Sequence, residues 1–316
     1  MLRQRRLCYF SVAALGVVMY LVTVYQLRYF YLQTQDCQLR SSQEQQQLLH
    51  KTMLDVTKSP VSEPRRSVTV YMVTPTYARW TQKADLTRLC QTLMHVRQIH
   101  WIVVEDAVYP TPLVTKLLRR CTVPSTHLHT RTPERLRLKE GEPTWRKCRG
   151  VEQRNAAIEW LRNAGNEEGV VYFGDDDNTY DIELFEQMRD TKKVSVWPVG
   201  ICGGLRFEGP LCKGGKVTGW HTGWGFERPF PIDMAGFAIS LPLLVSRADA
   251  RMDPDAKMGY LESSILEKLV TISELEPKAN DCTEVYVWHT RTEVPKMKHE
   301  QKLIEANIPS NPDIET

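Results

Sequence analysis

The stretch VVYFGDDDNTYD, residues 170–181, decides how this chain is read. Val170, Val171, Tyr172 and Phe173 are β-branched or aromatic and end at Gly174, which predicts a short buried strand. Asp175, Asp176 and Asp177 follow at once. Three adjacent carboxylates at the end of a buried strand repel one another, and a divalent cation would supply the missing positive charge. Mg²⁺ and Mn²⁺ take oxygen ligands and share them with phosphate. In open α/β sheets, ligands bind beyond the carboxyl ends of the strands. The run therefore predicts a metal–diphosphate site. The competing reading is an acidic strand-to-helix turn, in which Asp177 or Asn178 caps a helix beginning near Asp181.

Working outward, residues 68–74 (VTVYMVT) predict a first strand that delivers Pro75, Thr76 and Tyr77 to the ligand side. Leu86, Leu89, Leu93 and Val96 recur at helical spacing. Residues 101–107 (WIVVEDA) predict a second strand ending in Glu105 and Asp106, and residues 111–120 a helix. Residues 127–138 read as a third strand or a loop. Residues 150–163 read as a helix with Val151, Ala156, Ile158 and Leu161 inward. This alternation predicts an α/β fold with a parallel, helix-covered sheet. Beyond Asp190, loops dense in Gly, Pro and Trp separate expected strands at 194–199, 205–208 and 236–240. Residues 262–270 read as a short helix, 285–288 as a last strand, and the remainder as a polar tail.

The chain has 316 residues, 25% charged, with a net charge of +3. That charge is too small and its basic residues too scattered for a nucleic-acid binder. Residues 7–27 form a run of 21 without a charge, long enough to cross a bilayer, behind Arg3, Arg5 and Arg6. The positive-inside rule then predicts a cytosolic tail at 1–6 and an uncleaved type II anchor, with a cleaved signal peptide as the alternative. Residues 28–67, rich in Gln and charge, read as an exposed stem. Of eight cysteines, Cys8 lies in the apolar run. The other seven would lie in an oxidising compartment, and none are at CxxC spacing. Seven is odd, which points to an intermolecular partner for one of them, Cys37 in the stem first.

Other residues gather by position. Asp106 ends a strand on the same edge as the triple aspartate; it reads as a nucleoside ligand or as a turn cap. Arg149 and Arg154 flank a helix start and suit a diphosphate or a sugar carboxylate, against a solvated helix face. His289 and Arg291 follow the last strand, where a cation would suit a diphosphate leaving group. Glu262 opens a helix, as a dipole-stabilised carboxylate or as a general base. Glu208, Trp220, Trp224, Arg228 and Asp233 set aromatic faces beside carboxylates, as a sugar cleft does; a buried tryptophan core competes.

In order along 68–295, PTYAR (75–79), VEDA (104–107), RGVEQRN (149–155), YFGDDDNTY (172–180), VSVWPVG (194–200), GGLRFEGP (203–210), RPFPIDMAGFA (228–238), LESSILEKL (261–269) and VWHTRTE (287–293) resemble the β1,3-glucuronosyltransferases, family 43 of the glycosyltransferases. The resemblance implies a GT-A fold, with a Rossmann-like UDP-sugar half at 68–193 and a mixed-sheet acceptor half at 194–316. It implies inverting transfer of glucuronate from UDP-glucuronate to O3 of a terminal galactose. The implied acceptor is the galactosyl-galactosyl-xylosyl protein of proteoglycan linkage regions, with N-acetyllactosamine glycans as the alternative. Asp177 would be the direct Mn²⁺ ligand, and Asp175 and Asp176 contacts to uridine, ribose or sugar. Tyr77 and Asp106 would hold uracil. Arg149, Arg154, His289 and Arg291 would contact UDP or glucuronate. Glu262 would be the base, and Glu208, Trp224, Arg228 and Asp233 would face the acceptor. The family also implies a Golgi membrane location with a lumenal catalytic domain. It implies a homodimer whose C-terminal arm reaches the partner's site, His299 standing where that arm usually offers glutamine. A non-catalytic sugar-binding relative is disfavoured by the intact acids, and a phosphoryl-transfer enzyme by the lack of a P-loop or kinase motif.

Overall fold

The computed structural model describes residues 68–138, 141–142, 149–164, 168–311 and 314, together with Met19, 23–26 and Arg28. The chain divides into two compact units, residues 1–65 and 66–316. In the first unit the described residues are helical, and Thr23 Oγ1 donates to the carbonyl of Met19 at 2.8 Å. The rest of the expected anchor at 7–27, the stem beyond Arg28, and Cys37 lie outside the described residues. Among the described residues no helix is long and apolar enough to cross a membrane.

In the second unit, β1 (Val70–Thr76), α1 (Gln82–Leu93), β2 (Ile99–Glu105), α2 (Pro112–Arg120), β3 (Ser125–His129), α3 (Val151–Asn163) and β4 (Val170–Phe173) follow in order. The strands β3, β2, β1 and β4 are parallel and lie side by side in that order. The order reverses between β1 and β4, the switch point beyond which open α/β sheets hold ligands. Side chains alternate across the strands. Val70, Met72, Trp101, Val103 and Tyr172 face α1 and α2; Tyr71, Val73, Ile102, Val104 and Phe173 face α3. Trp101, Tyr172 and Phe173 are fully buried, each contributing roughly 1.5–3 kcal/mol by removal from water.

The sheet continues with β10 (Phe237–Ser240), antiparallel to β4, then β6 (Val194–Val196) and β11 (Leu275–Pro277). Seven strands thus run across the division expected at 193/194, and the parallel sheet expected from the first half becomes mixed. Because β10 runs backwards, the residues before it, including Asp233, arrive at the same edge as the triple aspartate. A second sheet has the order β5 (Thr179–Tyr180), β12 (Val287–Trp288), β7 (Val199–Gly200), β8 (Phe207–Cys212) and β9 (Val217–His221).

Several local expectations change. The strand expected at 194–199 breaks around Trp197 and Pro198 into β6 and β7, which join different sheets. The helix after the triple aspartate is α4 (Ile182–Met188), capped by Asp181, whose carboxylate accepts from the Glu183 amide at 2.9 Å. Strand β5 intervenes, so neither Asp177 nor Asn178 is the cap. Further on lie α5 (Leu241–Ser246) and α6 (Leu261–Leu266), and the polar tail contains α7 (Lys298–Glu305). Disulfides join Cys90 on α1 to Cys121 after α2, and Cys212 to Cys282. Each constrains the unfolded chain and contributes about 3–4 kcal/mol. Cys202 is free and buried; Cys148 lies outside the described residues.

Candidate active site

Gly174 shapes the turn that carries the acids. A Cβ there would lie 2.3 Å from Met72 Cε and 2.9 Å from the Tyr180 hydroxyl. The bare backbone lets β4 turn abruptly under Tyr180, whose hydroxyl donates to the Asp175 carbonyl at 2.6 Å. Gly150, at φ +70°, starts α3 hard against Pro75. Tyr77, Asp106, Arg149, Arg154, Asp175, Asp176 and Asp177 line one cavity beyond the ends of β1, β2 and β4.

The three acids are not equivalent. Asp175 is paired with Arg154. Asp176 is buried and accepts from Thr76 Oγ1 and Arg79 Nη2, both at 2.7 Å. Burial raises its pKa to about 6, with Arg79 opposing the rise. Arg79 is itself fixed by the fully buried Asp85 at 2.8 Å, and its guanidinium lies over the Tyr77 ring at 4.8 Å. A bound cation is therefore not needed to balance all three acids, because Asp175 and Asp176 have arginine partners. Among the described residues only the Asp177 carboxylate has none. Burial, then the charge of Asp175, raises its pKa. A lone, half-buried carboxylate fits Mn²⁺ or Mg²⁺, which take one or two protein carboxylates and complete the shell with phosphate and water.

Asp106 lines the cavity, but both its oxygens accept from Thr132, from the amide and the hydroxyl, each at 2.7 Å. The turn-cap geometry is therefore realised at the cavity wall. Arg149 is exposed at the rim, and Tyr77 is half exposed.

A second cavity is lined by Cys202, Glu208, Trp224, Arg228, Asp233, Glu262, His289 and Arg291, among others. Arg228 and Glu208 form a buried ion pair at 3.0 Å, and the Arg228 guanidinium lies over the Trp224 ring at 4.4 Å. Glu208 Oε2 is buried without a partner among the described residues. Asp233 accepts from the Ala235 amide at 2.9 Å, capping a 3₁₀ turn, and from His289 Nδ1 at 3.0 Å. The hydrogen bond to Asp233 raises the His289 pKa. Burial works against ionisation of Asp233, but His289 outweighs it and the Asp233 pKa is lowered. Glu262, at the start of α6, is half-buried; burial, then the charge of Asp233, pushes its pKa up to about 8. A carboxyl that titrates near neutrality suits proton abstraction. Trp220, grouped with the cleft from its sequence neighbours, instead packs against the core.

The two cavities adjoin. Thr290 Oγ1 donates to the Asp177 carbonyl at 2.7 Å and lies 3.0 Å from Thr179 Oγ1. Arg79, Asp85 and Thr290 were not singled out in the sequence for any role.

A family model described as glycosyltransferase family 43 matches residues 89–293. This chain belongs to glycosyltransferase family 43. The mouse protein named galactosylgalactosylxylosylprotein 3-beta-glucuronosyltransferase 3 is 54% identical over 265 residues, 80% of this chain and 79% of its own length. Its human counterpart is 55% identical over the same shares. The human protein named galactosylgalactosylxylosylprotein 3-beta-glucuronosyltransferase 2 is 52% identical over 239 residues, 74% of this chain and 72% of its own length.

Proposed function

We propose that this family 43 chain transfers glucuronate from UDP-glucuronate, with inversion, to O3 of the terminal galactose of a galactosyl-galactosyl-xylosyl protein. The observation that carries the reading is the junction of the two cavities. Thr290 ties the backbone of Asp177 to the segment beside Glu262, so a donor held by the acids and an acceptor beside Glu262 meet across it. The names of relatives more than half identical to this chain support the substrate assignment.

UDP-glucuronate lies along Tyr77, Asp106, Asp175 and Asp176. Arg149, Arg154, His289 and Arg291 meet the negative charge of the diphosphate and the glucuronate. Asp177 would hold Mn²⁺, which when bound supplies electrostatic stabilisation of the leaving UDP. The galactose stacks on Trp224 and donates a hydroxyl to the unpartnered Glu208 oxygen, while Arg228 orients both. Asp233 holds the His289 ring. Glu262 takes the proton from galactose O3 as that oxygen attacks the anomeric carbon from the face opposite UDP.

The proposal extends to a GT-A organisation, a Golgi type II anchor at 7–27 and a homodimer that Cys37 links. The test is UDP release by the full chain, with and without Mn²⁺, on galactosyl-galactose and N-acetyllactosamine acceptors. Acceptor-dependent release on galactosyl-galactose, lost on chelation, is expected. Release favouring N-acetyllactosamine reassigns the acceptor, and none on either overturns the reading.

A further inference from the structure

The second cavity contains a thiol, Cys202, that glucuronate transfer does not use, set against two residues that it does. Ligand atoms of Cys202, Asp233 and His289 all lie within 4.8 Å of one another. Cys202 Sγ donates to Asp233 Oδ2 at 3.2 Å, and the same oxygen faces His289 Nδ1 at 3.0 Å. The three residues come from three separate places, the loop after β7, the turn before β10 and the end of β12, and the topology brings them to one cavity wall.

We propose that Cys202, Asp233 and His289 form a second metal site, separate from Asp177, that takes Zn²⁺ and inhibits the enzyme. One thiolate, one imidazole and one carboxylate suit Zn²⁺, whereas Mn²⁺ prefers an all-oxygen shell. Three protein ligands leave a fourth position open to the cavity. Around the three ligands, Glu208 is paired with Arg228, Glu262 holds its proton to about 8, and Arg291 stands beside His289, so Asp233 is the carboxylate that meets the cation. Burial, then the charge of Asp233, holds the thiol protonated in the free site. On binding, a Zn–S bond forms as the thiol proton passes to water, and a Zn–N bond forms to the neutral imidazole as any second ring proton likewise passes to water; no oxidant is needed. Zn²⁺ there takes His289 and Asp233 out of their pairing and stands in the cavity beside Glu262, where the acceptor must lie.

The test has two arms on the full chain. Co²⁺ titration, read in the near ultraviolet, is expected to give a thiolate-to-cobalt charge-transfer band that Cys202→Ser removes. In glucuronate transfer at saturating Mn²⁺, Zn²⁺ is expected to inhibit, with tenfold more Mn²⁺ giving no relief. Cys202→Ser and Cys202→Ala are each expected to raise the half-inhibitory Zn²⁺ concentration at least tenfold relative to the parent. The absence of a cobalt band, a band that survives Cys202→Ser, or inhibition relieved by Mn²⁺ overturns the site. The inhibition arm rests on the proposed activity and the cobalt spectrum does not. A chain that shows the Cys202-dependent band yet transfers no glucuronate refutes the activity and keeps the site.

Discussion

Thr290 Oγ1 donates to the main-chain carbonyl of Asp177 at 2.7 Å. Beside the β5–β12 pairing, this bond ties the loop that carries the acids to the segment that carries His289 and Arg291. Thr290→Val keeps the shape and removes the bond. It is expected to lower kcat/KM about fivefold, the equivalent of one hydrogen bond of about 1 kcal/mol, with little change in unfolding midpoint. Steady-state kinetics beside a thermal melt check this; a large loss of stability would point to a structural role alone.

Glu262 is expected to couple activity and stability with opposite signs. The folded chain holds its proton up to about 8, whereas an ordinary glutamate releases it near 4.5. The folded state therefore binds more protons between those values. The stability from this group is fully present below 4.5 and falls as pH rises towards 8. Glu262→Gln never ionises. Allowing for partial exposure, it is expected to be more stable than the parent by on the order of 1–2 kcal/mol above about pH 8. It should bind UDP normally and transfer no glucuronate, while the parent's rate rises with pH through about 8. Melting curves and rates across pH test both halves.

Arg79 serves two buried carboxylates, Asp176 and Asp85. Arg79→Gln leaves Asp176 without its cation, at an expected cost of about 3 kcal/mol in urea unfolding. Asp176 already holds its proton to about 6, and loss of Arg79 raises that further. The deficit should therefore shrink at about pH 5 and grow at about pH 8, because the folded state is the one that stays protonated.

Trp224 presents its ring to the second cavity under the Arg228 guanidinium. Trp224→Ala is expected to raise the acceptor KM about tenfold and leave UDP affinity unchanged, since a stacked ring contributes roughly 1–2 kcal/mol. Calorimetric UDP titration beside acceptor kinetics separates the two; weakened UDP binding would show that the ring supports the first cavity instead.

The parts of the fold with local causes were legible in the sequence. Val170 to Phe173 reads as a strand because four apolar residues end at a glycine, and Val151 to Asn163 reads as a helix from its spacing. The strand-end positions of Asp106 and Asp175 followed from the alternation of strands and helices. The charge balance did not, because Arg79 neutralises Asp176 from 97 positions away and no periodicity records that pairing. Asp85 sits one residue before the apolar stripe of α1, and no periodicity marks it as buried, yet it is fully buried. The break between β6 and β7 was hidden because Val194 to Val199 is apolar on both sides of Trp197. The family resemblance placed Asp233 towards the acceptor but was silent on its bond to His289.

Strand β12 lies at 287–288, near the end of the chain, yet it sits between β5 and β7 in the smaller sheet. During synthesis the triple aspartate emerges more than a hundred residues before the strand that borders it. A growing chain therefore has to reach the β12 segment before His289 and Thr290 take their places, and completion of the first half does not by itself complete the site.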